Sequence, residues 1–424
     1  MRSRSVRSPV AAGRSTSPFR RHAGGAGTSS RAAAHGRTVA LYAASIAGAL
    51  LLSALLVSVT GGSARAVWSA LIDGSIRSPG AWGLTLTTMA PLLIVAVGAI
   101  VATRAGLINI GQEGQLLIGA CFAAYVAVRL PGPGSLVIAG ALVAAAIGGG
   151  LWAGIAALLK VWRNVPEVLT TLLLTFIAFP LLTFALRHDW LLGDRAERTR
   201  HINSGEQIPF DTRLPNLDLF GNRIDAAVIL ALGVTAVVAY LLGRTRLGAR
   251  VDVLGLNPRA AQRFGVPRGP LTAAVLVASG CFAGVAGAVL LTGGASGDRL
   301  SVGYSGNFGW DGLLVALVAR NRVLVAIPTA FVFAALRTGS SFLAATGVDR
   351  RMTDVVQALL VLALLIPPAI EHAGTFRAAR RQGVAAERSM RSPATPAVAD
   401  RSTSPFRRHA DGAGASSRAS EVTA

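Results

Sequence analysis

The sequence predicts an all-α polytopic membrane protein with about ten membrane-crossing helices and one short helix in a basic loop. Three observations carry that prediction. Of the 424 residues, 52% are hydrophobic and only 14% charged, which is too apolar for a water-soluble domain. The apolar residues gather in runs of about spanning length. The net charge of +21 is confined to two tails and to short loops between apolar runs, the positive-inside pattern, which argues against nucleic acid as a partner.

Residues 1–37 are rich in Arg, Ser, Gly and Ala and lack an apolar core of signal-peptide length, so they read as a disordered basic arm. A first span follows from Thr38 to Val59, with no cleavage pattern behind it, and is expected to be kept as an anchor. Further apolar runs lie at 82–102, 107–128, 135–159, 168–186, 224–243, 270–291, 308–319, 323–336 and 353–370. The membrane domain is therefore expected over 38–370, and 371–424 as a second disordered tail. The runs 308–319 and 323–336 are short and hinged by Arg320-Asn321-Arg322, so they read either as a re-entrant hairpin or as two spans.

Charge asymmetry sets the expected orientation. The loop 244–268 carries six arginines (Arg244, Arg246, Arg250, Arg259, Arg263, Arg268) against the single acid Asp252, whereas the loop 187–222 balances five arginines with six acids. The first is expected to be cytoplasmic and the second outside. With an even number of spans, both termini then fall on the cytoplasmic side. The tails share a repeat, Arg14 to Ala23 returning as Arg401 to Ala410, which reads either as two lipid-attracted arms or as a low-complexity duplication. Cys121 and Cys281 lie in apolar runs without metal-ligand spacing and read as packing residues; no metal site is expected. The six histidines lie in tails or loops and form no catalytic arrangement, so no enzyme is expected.

The run Gly106-Leu107-Ile108-Asn109-Ile110-Gly111-Gln112-Glu113-Gly114-Gln115 is the exception to the apolar rule. An acidic side chain at a helix centre is unfavourable by roughly 2.5 to 3.5 kcal/mol, so polar groups at that depth face a bundle interior or an aqueous path. Asn109, Gln112, Glu113 and Gln115 read either as substrate-path residues or as groups that cap a broken helix and bond between helices. Glu167, after Asn164 and Pro166, reads as a carboxylate at a helix N-terminus, with a substrate role as the alternative. Phe308, Trp310 and Asp311 open a short segment at a pore mouth, where the rings either stack on a base or anchor at the interface.

In the inner loop, residues 255–267 read as one short helix with marked ends. Asn257 suits the N-cap, Pro258 the first turn, Gly265 the left-handed position after the helix, and Pro267 stops continuation. Ala260, Ala261 and Phe264 are expected on one face. A helix this short is marginal alone in water and is expected to dock on a partner.

The Asn109-x-Gly111-x-Glu113-Gly114-Gln115 pattern, Val165-Pro166-Glu167-Val168-Leu169-Thr170-Thr171 and Gly255-Leu256-Asn257-Pro258-Arg259-Ala260-Ala261 together resemble the nucleoside branch of the bacterial ABC importer permeases, within the branched-chain amino acid and simple-sugar permease family. The resemblance covers residues 80–370 and departs at Thr175, where family members carry Asn. It implies a permease that moves nucleosides across the cytoplasmic membrane, with simple sugars as the nearest alternative cargo. It also implies three partners: a separate ATPase that supplies the energy from ATP, a second, non-identical permease, and an extracytoplasmic binding lipoprotein. Residues Asn257, Pro258, Arg259, Ala260, Ala261, Arg263, Phe264 and Gly265 then become the ATPase-coupling segment. The chain's only lysine, Lys160, lies in Leu158-Leu159-Lys160-Val161 and not in a Gly-Lys-Ser/Thr phosphate loop, so no cofactor is expected on this chain. The rival class is an ion-coupled secondary transporter, whose uptake would collapse with an ionophore.

Overall fold

The computed structural model describes residues 27–59, 71–194, 204–219, 221–293 and 299–345, with isolated positions at 65, 69 and between 355 and 370. Helix α1 (Gly27–Val59) covers the first expected span. After one π-helical turn (Asp73–Arg77) come α2 (Ala81–Arg104), α3 (Gln112–Arg129), α4 (Gly134–Arg163) and α5 (Glu167–Arg187). A hairpin of β1 (Asn216–Leu219) and β2 (Asn222–Asp225) leads into α6 (Ala227–Arg244). The chain then forms α7 (Arg246–Leu256), α8 (Pro258–Arg263), α9 (Arg268–Thr292), α10 (Phe308–Val318) and α11 (Ala326–Ala345).

Among the described residues, α2, α4, α5, α6 and α9 have the length and hydropathy of membrane spans, so five of the expected ten are met on that measure. The α3 and α11 helices, of 18 and 20 residues, mix apolar residues with Glu113 and Arg337 respectively. The expected span at 353–370 and the tail repeats lie outside the described residues, apart from a few isolated positions.

Four expectations are corrected. The chain is not purely helical: β1, in the loop expected at 187–222, pairs antiparallel with β2, which runs into the span expected from 224, Leu219 facing Asn222 across a turn in which Gly221 takes a φ of 73°. The run expected as a helix from 107 starts helically only at Gln112, because residues 107–110 are non-helical. The basic inner loop contains a second helix, α7, started by the Thr245 hydroxyl accepting from the Gly248 amide. The short run expected at 323–336 belongs to α11, which continues to Ala345.

That last correction makes the two arms of the expected hairpin unequal. A side chain at Gly312 would meet Val95 and Leu92 of α2, while Asn321, just past α10, meets Thr103 near the end of α2 with the hydroxyl 2.9 Å from its side-chain oxygen. The α10 helix therefore runs parallel to the second half of α2. With 11 residues it is about 16 Å long, half the length of its neighbour. The chain reaches its start by way of non-helical residues 299–307, where the buried Tyr304 hydroxyl donates to Gly287 O of α9 at 2.8 Å. Residues 299–345 thus form a non-helical entry, a half-length helix and a 20-residue helix, not two equal short arms.

Helix α2 is the hub, buried on all sides from Met89 to Ala102. The α4, α5 and α6 helices instead turn Leu151, Leu173, Phe176 and Ile229 outward, the distribution of a bundle whose solvent is lipid. Glycines let α3, α4 and α9 meet backbone to backbone. A Cβ on Gly284 would collide with Ala145 O and one on Gly119 with Gly284 Cα. Close approach of this kind supplies the van der Waals contact that holds helices together where no hydrophobic effect operates between them.

Asp225 ends β2 and caps α6, its carboxylate accepting from the Ala227 amide at 2.7 Å. Burial pushes its carboxyl up to about 6 from an ordinary 3.8. The folded state thus holds its proton more tightly than the unfolded one, so stability falls as pH rises from about 4 to 6 and levels off above. Asp225→Asn keeps an acceptor for the cap and removes the charge. It is expected to be more stable than the parent at pH 8 by about 2 kcal/mol and equal to it near pH 4, as read from thermal unfolding at the two pH values. For the glycine seam, Gly284→Val is expected to lose about 1–3 kcal/mol by overpacking, while Gly233→Ala, which has open space around it, leaves the melting temperature unchanged.

Candidate functional site

The two interrupted elements begin next to each other. Helix α2 ends in a Schellman turn: Gly106 adopts a φ of 74°, its amide donates to Thr103 O and that of Leu107 to Ala102 O. Residues 107–110 then run back along the bundle without helical bonds, and α3 starts at Gln112. Its first turn lies against the first turn of α10, where Glu113 accepts from the Gly309 amide at 2.7 Å. A carboxylate there complements the partial positive charge of a helix start that has no side-chain cap of its own. Glu113 is fully buried, faced by the Ser305 side chain and by the Gly309 and Trp310 amides.

The amides close on one another. Asn109 Nδ2 donates to Gln115 Oε1 at 2.8 Å, and Gln115 Nε2 donates back to Asn109 Oδ1 at 3.0 Å. Ser279 of α9 joins them, its hydroxyl 3.0 Å from Asn109 and 3.2 Å from Gln112. From α5, the Thr171 hydroxyl accepts the Ile110 amide at 3.3 Å. Asn109, Gln112 and Gln115 are each about 1% exposed, so this knot ties residues 109–115 to α5 and α9 and opens to no solvent. Gly111 and Gly114 make room for it, since a Cβ on either would strike Thr171 or Thr175 of α5.

Phe308 and Asp311 belong to the same junction. Arg337 of α11 donates to Asp311 Oδ2 at 2.7 Å and to Gly306 O at 2.6 Å, and its guanidinium lies 4.0 Å from the centre of the Phe308 ring. Phe308 is buried beneath it and Trp310 is half-buried. The structure thus places six of the seven expected path residues in two adjoining groups: Asn109, Gln112 and Gln115 face Ser279 of α9 and Thr171 of α5, whereas Glu113 meets the start of α10, where Phe308 and Asp311 meet Arg337 of α11, with Trp310 half-buried on the same turn. It also adds Ser279, Thr171 and Arg337, which sequence reasoning passed over. An arginine one residue beyond the run 323–336 was the available signal for Arg337, whereas Ser279 looks like any small packing residue.

The coupling segment forms a separate region. Asn257 Oδ1 accepts from the Arg259 and Ala260 amides at 3.0 and 3.1 Å, Pro258 holds the first turn, and Gly265, with a φ of 74°, closes the helix in a Schellman turn onto Gln262 O. Phe264 is 82% exposed, but Ala261 is fully buried and Ala260 partly so. The expected shared face of Ala260, Ala261 and Phe264 is therefore corrected: the alanines turn toward the bundle, and Phe264 stands out beside Arg259 and Arg263.

The two regions touch. Gly255, at the end of α7, packs on Gly106, where a Cβ would lie 3.2 Å from Gly255 Cα, and Arg104 of α2 pairs with Asp252 of α7 at 2.8 Å. Beside this contact lies a cavity of about 490 Å³ lined by Gly106, Lys160, Glu167, Gln262 and Arg268 among others. Lys160 pairs with Glu167 at 2.8 Å across the α4–α5 elbow, at which Asn164 takes a φ of 52°. Glu167 thus acts in the first turn of α5 as an ion-pair partner as well as a helix-start carboxylate.

Comparison with known proteins follows the same outline. The family model for the branched-chain amino acid transport system permease component matches residues 83–365. A glucose ABC transporter permease of Haloferax volcanii is 31% identical over 67% of this chain and 76% of its own length. A guanosine ABC transporter permease of Bacillus subtilis is 28% identical over 74% of this chain and 89% of its own, and a nucleoside ABC transporter permease of Lactococcus lactis 27% over 70% and 82%. With the junction, the coupling segment and most of the described helices inside the matched region, this multi-pass membrane chain belongs to the family of branched-chain amino acid transport system permease components.

Proposed function

We propose that this chain is the permease subunit of an ABC importer that carries nucleosides across the cytoplasmic membrane, powered by a separate ATPase that grips residues 257–265. The junction of Asn109, Gln112, Glu113 and Gln115 carries the reading. Its amides and carboxylate offer the donors and acceptors that ribose hydroxyls and base edges need. In the structure Asn109 and Gln115 bond each other, Asn109 and Gln112 bond Ser279, and Glu113 bonds the Gly309 amide, the arrangement of a closed state whose partners are exchanged for cargo when it opens. The similarity to the guanosine permease over 89% of that relative supports the same cargo class. Simple sugars are the second reading, favoured by the 31% identity to the glucose permease.

The partners follow from the mechanism. The chain works with an ATPase and a second permease subunit, and in this proposal an extracytoplasmic lipoprotein delivers the cargo. The basic α7–α8 region and both termini face the cytoplasm, in line with the six arginines of residues 244–268. ATPase closure shifts the permease between two arrangements by its differential affinity for them.

The test is uptake by vesicles that contain this chain with its ATPase, partner permease and lipoprotein. Radiolabelled guanosine is expected to accumulate only with ATP, and excess unlabelled nucleosides to abolish uptake while excess glucose leaves it intact; the reverse competition supports the sugar reading. Persistence without ATP, with collapse on adding an ionophore, would point to a secondary transporter instead. In the same vesicles, the Phe264→Ala and Arg263→Ala double variant is expected to reach the membrane in normal amount but to lose at least about tenfold in uptake, a contact worth roughly 1.4 kcal/mol. Uptake at the parental rate would contradict the coupling assignment.

A further inference from the structure

We infer that Arg104, Asp252 and the glycine pair Gly106 and Gly255 form the joint through which movement of α8 reaches the polar junction, with Arg104 and Asp252 as positioning residues of the transport cycle. The inference rests on the ATPase-coupled reading above.

The path is short and stiff. Asn257 lies between α7 and α8, its amide donating to Val253 O at 3.0 Å while its side chain caps α8, so the two helices share one elbow. Force on α8 is therefore delivered to α7. Asp252 and Gly255 are three residues apart and so lie on one face of α7, and both engage the end of α2. At Gly255 the contact is backbone to backbone, since a Cβ there would collide with Arg104 O. No flexible side chain intervenes to absorb a displacement, and packed interfaces switch between discrete arrangements in preference to deforming gradually.

Beyond Gly106 the chain enters residues 107–110, which have no helical hydrogen bonds to resist a shift, and Asn109 lies only three positions on. The far side of this segment is held by Glu167, whose carboxylate faces the Ile108 amide and is fixed by Lys160. A push at the joint is thus concentrated on the segment that carries the first amide of the knot. A competing route would tilt α9 as a rigid body through Val266, leaving the Arg104–Asp252 pair a bystander.

The pair is part-exposed on both sides, and such ion pairs add little to fold stability, so charge removal tests linkage and not folding. The complete transporter with its ATPase, partner permease and lipoprotein is reconstituted in proteoliposomes, and cargo moved per ATP hydrolysed is measured. Arg104→Gln and Asp252→Asn are each expected to lower that ratio at least about fivefold with the melting temperature unchanged. The charge-swapped double variant, Arg104→Asp with Asp252→Arg, is expected to recover most of it. Parental ratios in both single variants, or a swap no better than the singles, would overturn the inference and favour rigid tilting of α9. Absence of ATP-dependent uptake in the parent complex would instead refute the transport reading on which the inference depends.

Discussion

The structure depends on a constraint set by the bilayer: a chain that stops being helical inside apolar surroundings must still satisfy its backbone and polar groups from within. Here the chain is interrupted twice, before Gln112 and before Phe308, and the two interruptions answer each other. Glu113 from one helix start receives the Gly309 amide of the other, and Arg337 ties Asp311 to the loop carbonyl of Gly306. Neither interruption is self-sufficient. Beside them α2 is buried on all sides, and α3, α4 and α9 meet one another through glycine contacts.

This arrangement bears on transport because a polar knot that is closed by its own members is cheap to exchange. Each neutral hydrogen bond contributes only about 0.5–1.5 kcal/mol net, so replacing the Asn109–Gln115 and Ser279 contacts with contacts to a polar cargo is close to balanced. Opening without a replacement partner is disfavoured, since each buried group left unpaired loses about 1–3 kcal/mol. In the proposed cycle the knot is held shut when empty and opens to a ligand of matching chemistry, with the push from α8 biasing the balance.

Much of this was legible in the sequence, and the part that was not has a physical reason. Long apolar runs identified α2, α4, α5, α6 and α9 to within a few residues, because length and hydropathy decide a span. Asn257, Pro258 and Gly265 marked the ends of α8, because each residue type fits a backbone geometry that few others adopt. The non-helical residues 107–110 fall in a run read as span, since Leu107, Ile108 and Ile110 suit either state; Asn109 pointed to a broken helix, and the tertiary contact of Ile110 with Thr171 fixes the choice. The β1–β2 hairpin was missed because its strands are only four residues long, in and beside a loop of mixed charge, and β2 has a single apolar residue, Ile224. Pairings between distant positions, Arg104 with Asp252 and Asp311 with Arg337, are invisible to any local pattern, although an arginine at the end of an apolar run is a local sign that it has a partner.

The central claim is that the junction at Asn109 to Gln115 must open in the transport cycle. It is tested most directly by thiol accessibility: Asn109→Cys in a background with Cys121→Ser and Cys281→Ser, within the complete reconstituted transporter, exposed to a water-soluble maleimide during turnover and without nucleotide. The account predicts slow labelling without nucleotide and labelling at least about tenfold faster while cargo is being moved, reflecting a population shift of roughly 1.4 kcal/mol toward the open arrangement. A thiol at position 109 that stays unreactive throughout sustained transport would contradict it.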